Sequence, residues 1–447
     1  MKVVTIEVPA LGNRCHLVHD GRVAVVIDPP RGAREIEQAA ENAEVEIVAV
    51  ADTHLHNDYV SGSLGLARRH GADYLLAADE PVEFERVGVR HGDVLRYGAL
   101  DVEVMATPGH TRHHQSFLAG QTDKPAALFT GGSLLHGTVG RTDLVDPRQA
   151  RSLAEAQWTS AQLQAGLDPA TAVHPTHGFG SFCAAGPATA ADTTPSIGEL
   201  LATHPALTAE RDSYVSDLVD GFGPIPAHYA HMAPLNRKGV GSAAPRPAVP
   251  ATAEQVSDAV LAGSWVIDLR DRSAFASGHL PGTVSVEYGR QFSTYVGWLV
   301  PWGDEIVLLT DSPTVLEPAL LDLADIGIDG VTARVLTTED VATASYRRAD
   351  WSNYREAEDQ PVVVDVRHRD EWERGHLPDA LHLPVQDVEV SGRSLPSGEL
   401  WVHCQSGYRA GIAASLLHRM GRDVVHIDDS WDRVRGLAIQ TTPVAAA

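Results

Sequence analysis

The sequence predicts a multidomain α/β protein, and three observations carry that expectation. The chain has 447 residues, more than one ordinary hydrophobic core organises, so two or three domains are expected. Short β-branched runs alternate with stretches of helical composition along its length. Finally, one segment recurs: VIDLRDRSAFASGHLPGTVSV from Val266 matches VVDVRHRDEWERGHLPDALHL from Val363, in register and 97 positions later. The shared skeleton is V-x-D-x-R, an aromatic, then G-H-L-P. That period is too long for a solenoid unit and suits two copies of a small domain.

Composition narrows the function classes. Apolar residues make up 43% and charged residues 21%, as in folded globular chains. Lys and Arg number 35 against 59 Asp and Glu, a formal charge of −24. So acidic a surface repels phosphate backbones and anionic lipid, so no nucleic acid and no membrane surface is expected as a partner. No apolar run reaches the roughly 18 residues needed to span a bilayer. The opening MKVVTIEVPALGN alternates like a strand and carries Glu7, so it reads as no signal peptide. Three cysteines, Cys15, Cys183 and Cys404, form no disulfide framework and suit a reducing compartment, so a cytoplasmic location is expected.

Taken in order, the elements divide the chain three ways. Residues 1–240 hold VAVVIDP and VEIVAVADTH, two β-branched runs ending in polar loops, with helical REIEQAAENA between them. Gly239–Thr252, GVGSAAPRPAVPAT, contains three prolines and reads as a semi-rigid spacer. Residues 252–346 and 355–440 carry the two repeats, parted by a polar break from Arg347 to Gln360. In each repeat an apolar strand (WVIDLR, PVVVDVR) leads to a loop, and a later one (EIVLLTD, ELWVHC) leads to a helix. This alternation predicts sheets whose active loops sit at strand ends.

The densest chemistry in the first segment is Thr53-His54-Leu55-His56-Asn57-Asp58-Tyr59, at the end of an apolar strand. Two imidazoles and a carboxylate in one loop suit a borderline metal ion. His110 in TPGHT and His177 in HPTHG add donors from later loops. A mononuclear site of His54, His56 and His110, with Asp58 and His177 nearby, is the expectation. Three histidines with an open position bind zinc or iron, whereas a 2-His-1-carboxylate iron face would call on Asp58.

In their order, IDP (Ile27–Pro29), THLHNDYVSG (Thr53–Gly62), TPGHT (Thr107–Thr111), TGGSLLHGTVGRTDL (Thr130–Leu144) and PTHG (Pro175–Gly178) resemble the metallo-β-lactamase fold family. The GRTD segment is similar to its persulfide dioxygenase branch. The resemblance implies an αββα sandwich, oxidation of glutathione persulfide to sulfite with O2 at a single iron, and iron histidines at His54 and His110. Two positions depart from the pattern. The family's third ligand, the Asp of TGD, is Gly132 here, and the histidine after the Asp of HxHxDH is Tyr59. A binuclear zinc hydrolase would lose its bridging carboxylate and one ligand of the second metal, which leaves one iron or zinc ion as the expected cofactor.

The second repeat ends its later strand at His403-Cys404 and continues Gln405-Ser406-Gly407-Tyr408-Arg409 into an apolar helix. A cysteine between a strand end and a helix N-terminus meets converging backbone N–H groups, which stabilise a thiolate. Arg409 adds a fixed charge, and Gly407 permits the tight turn. With DVR (Asp365, Arg367) and GHLP (Gly375–Pro378), this segment resembles a rhodanese domain. The resemblance implies that Cys404 takes up sulfane sulfur as a persulfide and passes it on. It also implies that the six-residue loop suits sulfur, where related phosphatases use one residue more. The first repeat keeps Asp268, Arg270 and Gly278–Pro281, but its strand end reads Leu309-Thr310-Asp311-Ser312-Pro313, so no persulfide forms there. Cys15 reads as core, and Cys183 as structural.

The expected protein is a sulfur-handling fusion, in which one site's reactive persulfide meets a second site at high effective concentration. Its expected partners are small thiol persulfides such as glutathione persulfide, with thiosulfate or sulfite. A catalytically inactive metallo-β-lactamase-like binding module beside a working sulfurtransferase is the alternative, and a zinc hydrolase a third. The direction of sulfur flow and a homo-oligomeric state stay open at this level.

Overall fold

In the computed structural model, which describes residues 1–32, 34–121, 124–186, 194–243, 249–336, 343–357 and 360–442, most strands are apolar runs buried along one face or both. β1 (Lys2–Val8), β2 (Asn13–His19), β3 (Val23–Ile27), β4 (Glu46–Ala51), β5 (Asp73–Ala77) and β6 (Val87–Val89) lie side by side in that order. The pairs from β1 to β3 are antiparallel, and those from β3 to β6 are parallel. A second sheet is built from β7 (Val94–Tyr97), β8 (Leu100–Ala106), β9 (Gln115–Gln121), β10 (Lys124–Gly131) and β11 (Ala172–Pro175), ordered β11-β10-β9-β8-β7. In β8, Leu100, Val102 and Val104 are buried while Asp101 and Glu103 are exposed, so one face of the strand joins the core.

That core lies between the sheets: Val25, Ile27, Ala49 and Leu75 pack with Val102, Val104, Phe117 and Phe129. The outer faces are covered by helices. Ile36 and Ala40 of the helix Arg34–Asn42, with Leu64 and Leu66 of Ser63–His70, join Cys15, Leu17 and Val26. Ala154 and Ala161 of the helix Ala150–Ala165 join Leu128 and Val173. The result is the αββα sandwich. Its consequence for function is that β3, β4, β8, β10 and β11 all release their chain into the loops that carry His, Asp and Gly motifs.

Residues 1–244 with 321–328 form one compact unit, and residues 245–320 with 329–447 a second. In the second unit, β12 (Val249–Ala251), β13 (Trp265–Asp268), β14 (Val284–Ser285), β15 (Ile306–Thr310) and β16 (Thr332–Leu336) order as β12-β16-β15-β13-β14. β17 (Arg347–Ala349), β18 (Val362–Asp365), β19 (Leu381–His382), β20 (Leu400–His403) and β21 (Val424–Ile427) order as β17-β21-β20-β18-β19. Every pair in both sheets is parallel, and the two orders are the same, so the sequence repeat is a repeat of topology. The central strands are buried on both faces, which is why they read as unbroken apolar runs.

Two stretches expected as connectors turn out to be edge strands. Val249–Ala251 pairs with β16 and Arg347–Ala349 with β21, each along one side only. An edge position tolerates Pro250 and leaves Arg347 and Arg348 in solvent, so both strands lack the apolar signature. The second repeat therefore starts by Arg347 rather than at 355, and Trp351, wholly buried, anchors the helix that follows. Residues 244–248 of the expected spacer, and 358–359 of the expected break, lie outside the described residues. Among the described residues no helix is long and apolar enough to cross a membrane.

Candidate functional site

The loops at the sandwich edge are tied down by buried acids. Asp28, directly after β3, sits at φ 53°, a left-handed conformation that Asp tolerates. Its carboxylate accepts from Thr53 N at 2.7 Å, from Thr53 Oγ1 at 2.8 Å, and from Thr176 Oγ1. Asp52 accepts from Ser61 and Ser63 hydroxyls at 2.6 and 2.5 Å and from Tyr74 Oη at 2.6 Å. These bonds join the loops after β3, β4 and β11 before any ligand is considered.

Held there are His54, His56, His110 and His177, with Asp58, all buried. The His54 ring centre lies 4.2 Å from His56, 4.8 Å from His110, 4.9 Å from His114 and 5.3 Å from His177. Burial, reinforced by neighbouring imidazoles, pushes His54 well below its ordinary pKa; burial with His177 brings His110 down to about 3. Burial also opposes charge on His56, but Asp28, Asp52 and Asp58 outweigh it and raise its pKa. For Asp58, burial is outweighed by His177, His56 and Asn13, which hold the carboxyl below the usual range. Burial thus favours the neutral imidazole at His54 and His110, the protonation state a metal requires.

The donor set fits a cation. His110 Nε2, His56 Nδ1 and Asp58 Oδ1 are buried without a hydrogen-bond partner, an expensive condition unless something binds them. Ligand atoms of His54, His110 and His177 lie within 4.8 Å of one another, as do those of His56, Asp58 and His177. Beside the cluster opens a cavity of about 310 Å³, whose lining includes Asn57, Thr111, Arg112, His113 and Arg237.

Both departures from the family pattern acquire a physical meaning. A Cβ on Gly132 would lie 2.2 Å from Cδ2 of His110, so the His110 ring fills the space a carboxylate ligand would need. The left-handed glycine is Gly131, at φ 52°, and not Gly132, so the obstacle at 132 is the neighbouring ring. Tyr59 Oη donates to the Asp28 carbonyl at 3.1 Å and meets His56 Nε2 at 2.9 Å, so it orients His56 instead of offering a metal ligand. In GRTD, Arg141 grips Asp143 through two bonds of 2.7 and 2.8 Å, while its own carbonyl accepts from His110 Nδ1 at 2.7 Å.

In the second unit Cys404 follows β20 and is 1% exposed. Gly407, at φ 89°, turns the loop into the helix Tyr408–Arg419. Arg409 is clamped by Glu371 through two bonds of 2.5 and 2.7 Å, and Tyr295 and Cys404 lie within its electrostatic reach. The Gln405 carbonyl accepts from Trp431 N at 2.9 Å, Ser406 is exposed, and Tyr408 Oη donates to the Glu287 carbonyl at 3.3 Å. Of the predicted loop residues, Tyr408 therefore serves packing against the first repeat, with its ring edge-on to Tyr295.

Beneath the loop, Arg367 chelates Asp365 at 2.6–3.0 Å and donates to the Gly375 carbonyl at 2.8 Å. The DVR and GHLP motifs are thus one buried ion-paired brace. A cavity of about 370 Å³ beside Gln405 is lined by Arg367, Glu371, Arg374, Trp431, Asp432 and Arg435, three guanidinium groups against two carboxylates. The first repeat repeats the brace with Asp268, Arg270 and Gly278. Its register puts Thr310 where Cys404 stands, because Asp268 opposes Leu309 as Asp365 opposes His403. The loop is also braced from the first repeat: Arg272 donates to Asp428 at 2.7 Å, and Asp428 abuts Gly407.

Sequence reasoning missed several of these residues. Asn13, Thr53 and His114 contact the histidine cluster, and Glu371 and Asp428 support the cysteine loop. Only Glu371 and Thr53 lay inside recognised motifs; the others come from strands and loops whose proximity the chain order does not announce.

Comparison with known proteins agrees with this geometry. A family model for the rhodanese-like domain matches residues 349–436. A hydroxyacylglutathione hydrolase-like protein of Homo sapiens is 36% identical over 115 residues, covering 25% of this chain and 39% of the relative. The hydroxyacylglutathione hydrolase of a Nostoc species is 34% identical over 136 residues, covering 29% and 52%. The chain therefore spans about half or less of the length of these curated relatives. A solved metallo-β-lactamase from Staphylococcus aureus superposes with a TM-score of 0.67 at 24% identity, over 75% of this chain and 99% of that one. The first unit has the metallo-β-lactamase fold. The chain as a whole joins that fold to a rhodanese-like domain.

Proposed function

We propose that this chain is an enzyme of sulfur metabolism in which Cys404 carries sulfane sulfur and the first unit binds one iron or zinc ion to act on a small thiol persulfide. The observation that carries the proposal is Cys404 itself, seated between a strand end and a helix N-terminus with Arg409 fixed beside it by Glu371. The thiolate attacks the outer sulfur of thiosulfate; a new S–S bond forms as the old one breaks, and sulfite leaves with the bonding pair. A nucleophilic acceptor then takes the outer sulfur and returns the thiolate, so no external oxidant or reductant is needed. Arg374 and Arg435, in the adjacent cavity, suit an anionic donor. Thiosulfate:cyanide sulfurtransfer should vanish in Cys404→Ser, and wild-type activity in that variant would sink the assignment.

For the first unit, histidines of the cluster would hold the ion, and Asp28 and Asp52 hold the loops that carry them. Iron there would supply redox access to O2, and zinc would supply Lewis acidity. Glutathione persulfide is the substrate we propose, in line with the sulfane chemistry of Cys404. A second reading, hydrolysis of a glutathione thioester, draws on the names of the relatives. Gly132 and Tyr59 weigh against it, since two donors of a binuclear site are replaced. Iron with persulfide-dependent O2 uptake supports the first reading; zinc with thioester turnover supports the second.

A further inference from the structure

We infer that the ion in the first unit is held by three imidazoles, His54, His110 and His177, all through Nε2, with His177 taking the place left by the missing carboxylate at Gly132. The inference rests on the proposal that one cation binds in this unit, and it adds which residues bind it. The tautomers follow from the hydrogen bonds. Thr53 Oγ1 donates its own proton to Asp28, so at 2.9 Å from His54 Nδ1 it can only accept, and the His54 proton is on Nδ1. His110 Nδ1 donates to the Arg141 carbonyl at 2.7 Å, and a carbonyl has no proton to give. Asn13 donates through Nδ2 to Asp58 at 2.7 Å, which turns its Oδ1 toward His177 Nδ1 at 3.0 Å; Asp58 Oδ2 lies 3.3 Å from the same nitrogen.

With Nδ1 as the donor in each, the neutral form of all three rings leaves the Nε2 lone pairs for a ligand. Two of them, on His54 and His177, lie 3.4 Å apart, and the third, on His110, has no hydrogen-bond partner. Facing lone pairs repel, and an unpartnered buried acceptor is costly, so the arrangement needs a positive centre. The Nδ1 side of each ring is meanwhile engaged by a hydroxyl, a carbonyl, or an amide and carboxylate, the outer support that metal-bound histidines need. His56 is placed differently. Its Nε2 meets Tyr59 Oη at 2.9 Å and Asp28 Oδ1 at 3.2 Å, a buried acid–imidazole pair that braces the loop, while its Nδ1 and Asp58 Oδ1 stay unpartnered and form the competing donor set that His56→Gln tests. His114 stacks on His54, but its Nε2 accepts from Gly132 N at 3.0 Å and is already occupied.

The test is Co(II) binding to the chelator-treated full chain, read as cobalt per chain, visible absorption and imidazole count by X-ray absorption. The native chain should bind one cobalt with three imidazoles. His177→Ala should lower affinity at least about 100-fold or drop the count to two, and His56→Gln should keep one cobalt and the native spectrum. The X-ray count on the native chain needs no variant and stands even where a substitution unfolds the unit. Stoichiometric cobalt with an unchanged spectrum in His177→Ala, or a loss confined to His56→Gln, overturns the His177 assignment and leaves the single-cation proposal standing. A native chain that binds no cobalt, zinc or iron overturns both.

Discussion

Replacing Gly407 by alanine should disable sulfur transfer without touching any reacting atom. The residue sits at φ 89°, where a side chain costs about 1–2 kcal/mol. A Cβ would also lie 2.2 Å from Asp428 Oδ1 and 3.2 Å from Asp428 Cα. The carboxylate cannot swing aside freely, because Arg272 holds it at 2.7 Å and Arg348 pairs with its other oxygen. Overpacking of that kind costs about 1–3 kcal/mol, so the second unit should lose roughly 2–5 kcal/mol in all. What remains folded should have the Cys404–Arg409 loop displaced by the order of 1 Å, enough to lower kcat/KM about 100-fold. Denaturant unfolding and thiosulfate:cyanide kinetics, run on the same preparation, read both effects. Adding Asp428→Ala to the variant should recover part of the stability by opening the space. A Gly407→Ala chain with stability within about 0.5 kcal/mol and kcat/KM within about twofold of wild type would refute the close-approach account of this loop.

Other outcomes follow from the same contacts. Gly132→Asp should lower metal per chain, because its Cβ displaces the His110 ring; a rise in iron occupancy would show that the ring yields and the carboxylate binds. Glu371→Gln should destabilise the second unit by about 3 kcal/mol near neutral pH, by leaving Arg409 without its charge partner. Burial raises the Glu371 pKa but Arg409 outweighs it, so the folded value lies below the ordinary 4.5. The pair's contribution is therefore full above pH 4.5 and fades as pH falls through the depressed value, and the Tm gap between wild type and variant should close on acidification. Cys15→Ser and Cys183→Ser should leave sulfurtransfer within twofold of wild type, since burial raises both thiols and makes them poor nucleophiles; loss of activity in either would reopen their role.

Much of this protein could be read from local sequence. Parallel strands buried on both faces, such as Ile306–Thr310 and Leu400–His403, announce themselves as apolar runs, and the repeat of V-x-D-x-R and G-H-L-P carried its topology with it. Cys404 and Arg409 were legible because a strand end, a glycine and a helix start are contiguous in the chain. Edge strands were not legible: pairing on one side only lets Val249–Ala251 and Arg347–Ala349 keep proline and arginine. The metal cluster was legible as a set of donors but not as a site. Which of His54, His56, His110 and His177 face one another depends on protons fixed by Thr53, Arg141, Asn13 and Asp58, which reach the cluster from three separate segments. The missing carboxylate was visible as Gly132, yet only the packed fold reveals that the His110 ring occupies its space, because sequence lists side chains without the volumes that exclude them.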